Sequence, residues 1–224
     1  MTPTLRHLTF LLGLLVTVAW LACVLPPQPS DDDDNDDDAS DDDDDTGDDD
    51  TGPADDTIYD VQLGLVAEDT IVDLGNVVVT TPVATSGFWI SEPDAPIQPK
   101  HSGIYVYVPD PVVAADLDAL LGVGTAVDVT WRYSEYYDNS EITVEAAADV
   151  QVVGNGNIPP VNVSACDVGT GGPLQESYEG VLVRVTNLLV TDENPDDPND
   201  YGEFEVDGCL RVDDIFYPYE PTQA

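Results

Sequence analysis

Aromatic residues at alternate positions are the clearest chemical feature of this chain. Trp89 lies in 87–92 (GFWISE), and Tyr105 and Tyr107 lie in 103–108 (GIYVYV). In an extended chain, alternate side chains point to opposite faces. Ile104, Val106 and Val108 then share one face of their segment, and Tyr105 and Tyr107 the other. Phe88 and Ile90 likewise oppose Trp89 and Ser91. With the aliphatic faces turned inward, Trp89, Tyr105 and Tyr107 stand together outside as a candidate ligand face. Such a trio could stack on bases or on sugar rings. Base-stacking platforms line cationic grooves, whereas here only Lys100 and Arg132 are near. A neutral saccharide or a protein partner fits better than nucleic acid. The competing reading buries the trio beneath a second β unit further along.

The rest of the catalytic repertoire is thin. From Thr57 onward there is one histidine, His101, read as a solvated loop residue. No G-x-S-x-G and no free Cys/His pairing offers a nucleophile. No C-x-x-C or H-E-x-x-H offers a zinc site, and no Gly-rich loop with Lys a phosphate cradle. Carboxylate pairs occur anywhere among 29 acids, so finding one says nothing about glycoside hydrolysis. The expectation is a protein that is not an enzyme, with no catalytic residue, no metal ligand set and no cofactor.

Residues 31–56 hold 17 Asp in 26 positions. An EF-hand loop needs acids at positions 1, 3 and 5, Gly at 6 and Glu at 12. Placing Gly47 at position 6 sets Asp42 and Asp44 correctly, but puts Thr46 at position 5 and Pro53 at position 12. The tract should therefore attract Ca²⁺ weakly and diffusely, as a polyelectrolyte. Its like charges repel and it has nothing to bury, so it is expected to act as a disordered tether.

Charge narrows the partners further. Residues 57–224 carry those 29 acids against Lys100, Arg132, Arg184 and Arg211. This surface repels phosphate backbones and anionic headgroups, and keeps the chain soluble and monomeric. The first 30 residues contain no acid. Arg6 and His7 precede the apolar run 8–23, LTFLLGLLVTVAWLAC, the pattern of an export signal. Its end, Leu21-Ala22-Cys23, resembles a bacterial lipobox in which Cys23 receives the lipid, although Trp20 stands where Leu is usual. A retained transmembrane helix over 8–25 and a cleaved secretion signal are the alternatives. All three place the body outside the cytoplasm, at the outer membrane or cell surface, or secreted. Cys166 and Cys209 then remain as an even pair, expected to form a disulfide, with two buried free thiols as the alternative.

The elements that must position these residues read as all-β. Valine is abundant, and Gly and Pro punctuate the chain. Strands are expected near 70–83, 87–92, 103–108, 125–135 and 140–153, with a hairpin turn at 136–139 and one short helix over 114–121 ended by Gly122. Trp131 and Tyr133 are expected in the core. Five strands with a helix between the third and fourth is the arrangement of an OB-like Greek-key barrel. A looser segment follows Gly154. It leads to a second unit with strands over 180–190, 201–206 and 209–213, which either packs on the barrel or is a truncated copy. The divisions are 1–23 export segment, 24–56 Pro- and Asp-rich tether, 57–155 barrel and 156–224 second unit.

Several phrases carry a resemblance: 57–64 (TIYDVQLG), 87–92 (GFWISE), 102–108 (SGIYVYV), 124–135 (GTAVDVTWRYSE), 176–185 (ESYEGVLVRV), 201–206 (YGEFEV) and 210–214 (LRVDD). The chain resembles the OB-type β domain that accompanies extracellular nucleases of the endonuclease/exonuclease/phosphatase superfamily, and that occurs in Asp-rich bacterial lipoproteins. The resemblance implies a fold and an extracellular setting without nuclease activity, since those nucleases' catalytic domain has no counterpart here. The leading expectation is a lipid-anchored, non-enzymatic binding module of the cell envelope. A companion or remnant of an extracellular nuclease and a calcium-influenced adhesion or scaffold protein are the alternatives.

Overall fold

A computed structural model describes residues 56–216 of the chain. Cys23, the export segment, the calcium-loop spacing around Gly47 and nearly all of the tether lie outside the described residues. The first unit runs α1 (Ile58–Gln62), β1 (Ile71–Val79), β2 (Gly87–Ser91), β3 (Gly103–Tyr107), α2 (Pro111–Leu120), β4 (Thr125–Tyr136), β5 (Asn139–Thr143) and β6 (Val150–Asn155). Strands β1 to β5 close into a barrel in the order β1-β2-β3-β5-β4 and back to β1. All neighbours are antiparallel except β3 and β5, which run parallel. Within the ring β1 to β5 no strand end is left unpaired, and β6, paired with β4, forms the remaining edge of the sheet.

Alternation fills this barrel. Phe88, Ile90, Ile104, Val106, Val127, Val129 and Ile142 are fully buried. On β1 the inward set is Val72 and Leu74, then Val77 and Val79, because Gly75 and Asn76 together oppose Asp128 alone. This bulge restores the inward phase and bends the strand towards β2. Asn76 takes φ +55°, and its N–H donates to the Asp128 carboxylate at 2.7 Å. Tyr133 is buried, its hydroxyl donating to Glu135, and half-buried Trp131 packs against the same core.

The structure shifts several sequence expectations. The helix starts at Pro111 rather than 114, because the Asp110 carboxylate caps it by accepting from the Val112 N–H at 2.8 Å. A second helix, α1, was not anticipated, although Thr57 and Asp60 form a capping box at its start. Residues 140–153 are not one strand. The twelve-residue β4 shares one edge between β5, against its C-terminal half, and β6, against its N-terminal half. The chain steps between them through a turn in which the Ala146 N–H donates to the Asp149 carboxylate. Asp56, assigned to the tether, already joins the barrel by accepting from the Asp73 N–H at 3.0 Å. Among the described residues, no helix is long and apolar enough to cross a membrane.

The second unit contains β7 (Val161–Asn162), α3 (Ala165–Val168), β8 (Val183–Arg184), β9 (Val190–Asp192), β10 (Glu203–Val206) and β11 (Leu210–Asp213). β7 and β8 form a parallel pair, and β9, β10 and β11 a three-stranded meander. The expected strand over 180–190 is split into β8 and β9 by a turn in which Asn187 takes φ +61°. A separate core of Phe204, Val206, Leu210, Val212, Val183 and Val185 lies between the two sheets. Cys166 and Cys209 are joined with their Cα atoms 5.2 Å apart, tying α3 to the turn before β11.

Candidate functional site

Strands β2 and β3 set the candidate face by their register. Trp89 stands opposite Tyr105, and Tyr107 opposite Gly87. The inward partners on both strands are fully buried, while Trp89, Tyr105 and Tyr107 are half-buried on the outer side. The Trp89 and Tyr105 rings lie 4.6 Å apart, tilted by 44°. Tyr105 leans across Gly87, where a Cβ would come within 2.7 Å of its hydroxyl and collide with the Val106 carbonyl. A glycine at φ +149° is thus required for the ring to lie flat on the strand. The Tyr105 hydroxyl reaches the Ser86 hydroxyl at 3.1 Å, which fixes its direction. Ser91, the other outward residue of β2, is covered, its hydroxyl donating to the Ser102 carbonyl.

Parallel pairing with β5 extends the face. Glu141 sits beside Tyr105 and Thr143 beside Tyr107. Burial, then the charge of Glu135, raises the Glu141 carboxyl above its ordinary range, while a hydrogen bond with Ser134 opposes this. Burial likewise raises the Tyr105 phenol, which stays neutral and able to donate. Arg132 is in register with Thr143, but its guanidinium is turned to Asp69, donating to that backbone carbonyl at 3.2 Å. The face is therefore aromatic with neutral and acidic neighbours.

One residue of this face escaped the sequence reading. Phe216 lies edge-on to Trp89, with ring centroids 6.0 Å apart. The available signal was the aromatic character of 216–219 (FYPY). Its position depends on how the second unit docks, which strand patterning does not report.

That docking is close. The backbones of Gly103 and Gly180 touch, so that a Cβ on either would strike the other. The His101 N–H donates to the Ser177 carbonyl at 2.8 Å, and the Ser140 N–H to the Glu179 carboxylate at 2.9 Å. Burial raises the Glu179 carboxyl to about 7, with Glu176 and Glu135 adding repulsion and the Ser140 and Gln62 hydrogen bonds opposing. His101 is accordingly not a solvated loop residue. It is half-buried at this joint in a left-handed conformation, φ +62°, with its Nδ1 buried and unpaired. Burial, then Lys100, lowers its pKa.

The acidic turn 192–200 is organised by a cation. Arg211 donates to Asp196 at 3.0 Å, Glu203 at 3.1 Å and the Pro195 carbonyl at 3.1 Å. Among the described residues, no three His, Cys, Asp or Glu converge as a metal site. The fold thus brings the aromatic trio together and the two cysteines together, and places His101 in neither group. No protein family matches the chain, and no curated protein matches it.

Proposed function

We propose that this chain is a non-enzymatic binding module of the cell envelope, anchored through lipid at Cys23 and held off the membrane by its Asp tether. Its ligand face is Trp89, Tyr105 and Tyr107 on an OB-like Greek-key barrel. The strand order, the parallel β3–β5 contact and the helix between β3 and β4 support that fold reading. The observation that carries the functional reading is the Trp89–Tyr105 pair. It is held by register and a hydrogen bond on the outside of a barrel whose interior is already filled.

The favoured ligand is a neutral saccharide. Its polarised C–H faces suit the negative faces of aromatic rings. The Tyr105 and Tyr107 hydroxyls and the Glu141 carboxyl supply polar contacts for ring substituents. Phosphate-bearing ligands are disfavoured by the acidity of the body.

A glycan array tests this reading. Trp89→Ala should lower the signal by at least about tenfold, the loss of roughly one stacked ring. Far-UV circular dichroism should be unchanged, since Trp89 is half-buried outside the barrel core. Equal signals from both proteins, or collapse of the fold in the variant, would end the reading.

A further inference from the structure

The barrel sheet ends at β6. β4 holds this strand along one side, from Val129 opposite Val150 to Thr125 opposite Asn155, and among the described residues none pairs with its other side. In an antiparallel pair every second residue turns its N–H and C=O away from the partner. The outer side of β6 is therefore a row of main-chain donors and acceptors open to another strand.

Such edges are ordinarily blunted by charge or proline. The three-stranded sheet of the second unit follows that rule, with Asp192 on β9 and Arg211 and Asp213 on β11. β6 does not. From Val150 to Cys166 no residue is charged, and proline enters only at Pro159 and Pro160, beyond the strand. Val152 is in register with Val127, which is fully buried inside the barrel, yet Val152 is 47% exposed. It has the phase of a core residue without the cover of one. Val153, 49% exposed, is the extra residue where the pairing shifts at Ala126 and Val127. This bulge twists the edge but adds no charge to it.

The surroundings of this neutral edge are acidic. Asp149 immediately precedes the strand, and Asp128 stands beside Gln151. α2 packs against the turn 147–149 and exposes Asp116 and Asp118. Neither 108–131 nor 133–183 contains a lysine or an arginine. An apolar edge framed by carboxylates suits an incoming strand with apolar residues at its centre and cations at its ends. A second copy of this chain would bring its own surplus of acids to the same place, and like charges oppose that pairing.

We propose that the free edge of β6 docks an extended segment of a basic partner protein, which adds a strand to the barrel sheet. Main-chain hydrogen bonds supply the attachment, and Lys or Arg flanking an alternating apolar run supplies the selection. The edge shares no residue with the aromatic face on β2 and β3, so its failure would leave the saccharide reading as it stands.

The test is titration calorimetry of the full chain with the acetylated, amidated peptide KTVTVTVK at low salt. This peptide should bind at least about tenfold more tightly than its counterpart ETVTVTVE, and added salt should narrow the difference. N-methylating two adjacent central residues removes donors from both edges of the peptide and leaves its charge unchanged, and should abolish binding. Val152→Lys/Val153→Lys, at two exposed positions, should weaken binding of the Lys-flanked peptide at least about tenfold with unchanged far-UV circular dichroism. Should that variant misfold, the methylated and unmethylated peptides on the wild type decide the question alone. Equal binding of those two would reduce the effect to diffuse attraction between a cation and an acidic chain, and would overturn the docking site. Equal binding of the Lys- and Glu-flanked peptides, or none by either, would overturn it too. So would a concentration-dependent dimer in sedimentation that the double-Lys variant lacks, which would assign the edge to a second copy.

Discussion

The barrel and the second unit solve the same problem in different ways. The barrel closes five strands of five to twelve residues, so its ladder has no loose end and its core needs no covalent help. The second unit has strands of two to four residues in two small open sheets. Sheets this small are marginal in water unless they pack on something. It relies on the Cys166–Cys209 bond, on its own small core and on the glycine contact with the barrel. Its exposed strands carry Asp192, Arg211 and Asp213, charges that discourage pairing with other chains. Hydrogen-bond closure supports one unit, and a covalent tie plus docking supports the other.

The harshest break of this comparison is Phe88→Ala. Phe88 is fully buried at the centre of the barrel, and the truncation should cost about 3–5 kcal/mol through lost burial and a cavity. Because the second unit docks on the barrel, urea melts followed by circular dichroism should move as one transition. A second-unit transition left in place would show that it stands without the barrel. The converse change is Cys166→Ser/Cys209→Ser. Opening a 43-residue loop should cost about 3–4 kcal/mol, confined to the second unit. Hydrogen exchange checks it: amides of β10 and β11 should lose protection while those of β2 and β3 keep theirs. Equal loss in both units would break the contrast drawn here.

Both units were partly legible in the sequence, for physical reasons that differ by element. Strands β2 and β3 could be read because Gly87 and Gly103 open short alternating runs whose inward residues are all aliphatic or Phe. The same alternation placed Trp89, Tyr105 and Tyr107 outside, and an even cysteine pair suggested the bond. What could not be read depends on partners distant in sequence. The Gly75–Asn76 bulge is defined against Asp128, and the break between β5 and β6 exists because β4 is long enough to hold both. The division of 180–190 follows from β8 pairing back to β7 while β9 joins β10. His101, Glu179 and Phe216 acquire their roles only where the units meet, and one-dimensional patterning carries no record of that surface.

The mildest break acts through pH at the same joint. Glu179 lies against barrel residues Ser140, Gln62 and Glu135, and against Glu176 of its own unit. Its carboxyl is raised from 4.5 to about 7, so the docked form holds the proton more tightly than the unfolded chain. The folded state then binds more protons between those values, and stability falls as pH rises through that window. The contribution is full below about pH 4.5, is lost by about pH 7 and is flat above, with an upper bound of about 3 kcal/mol. Glu179→Gln keeps an oxygen to accept from the Ser140 N–H and removes the titration. Its stability should decline less between pH 4.5 and 7 than the wild type's, and the residual slope should come from Glu92 and Glu141, which burial raises as well. Urea midpoints measured across this range would check it, and superimposable profiles would remove Glu179 from the joint's electrostatics. If the two units are held together at this carboxylate, the pH-dependent loss should appear first as exposure of 177–181, before any barrel strand opens.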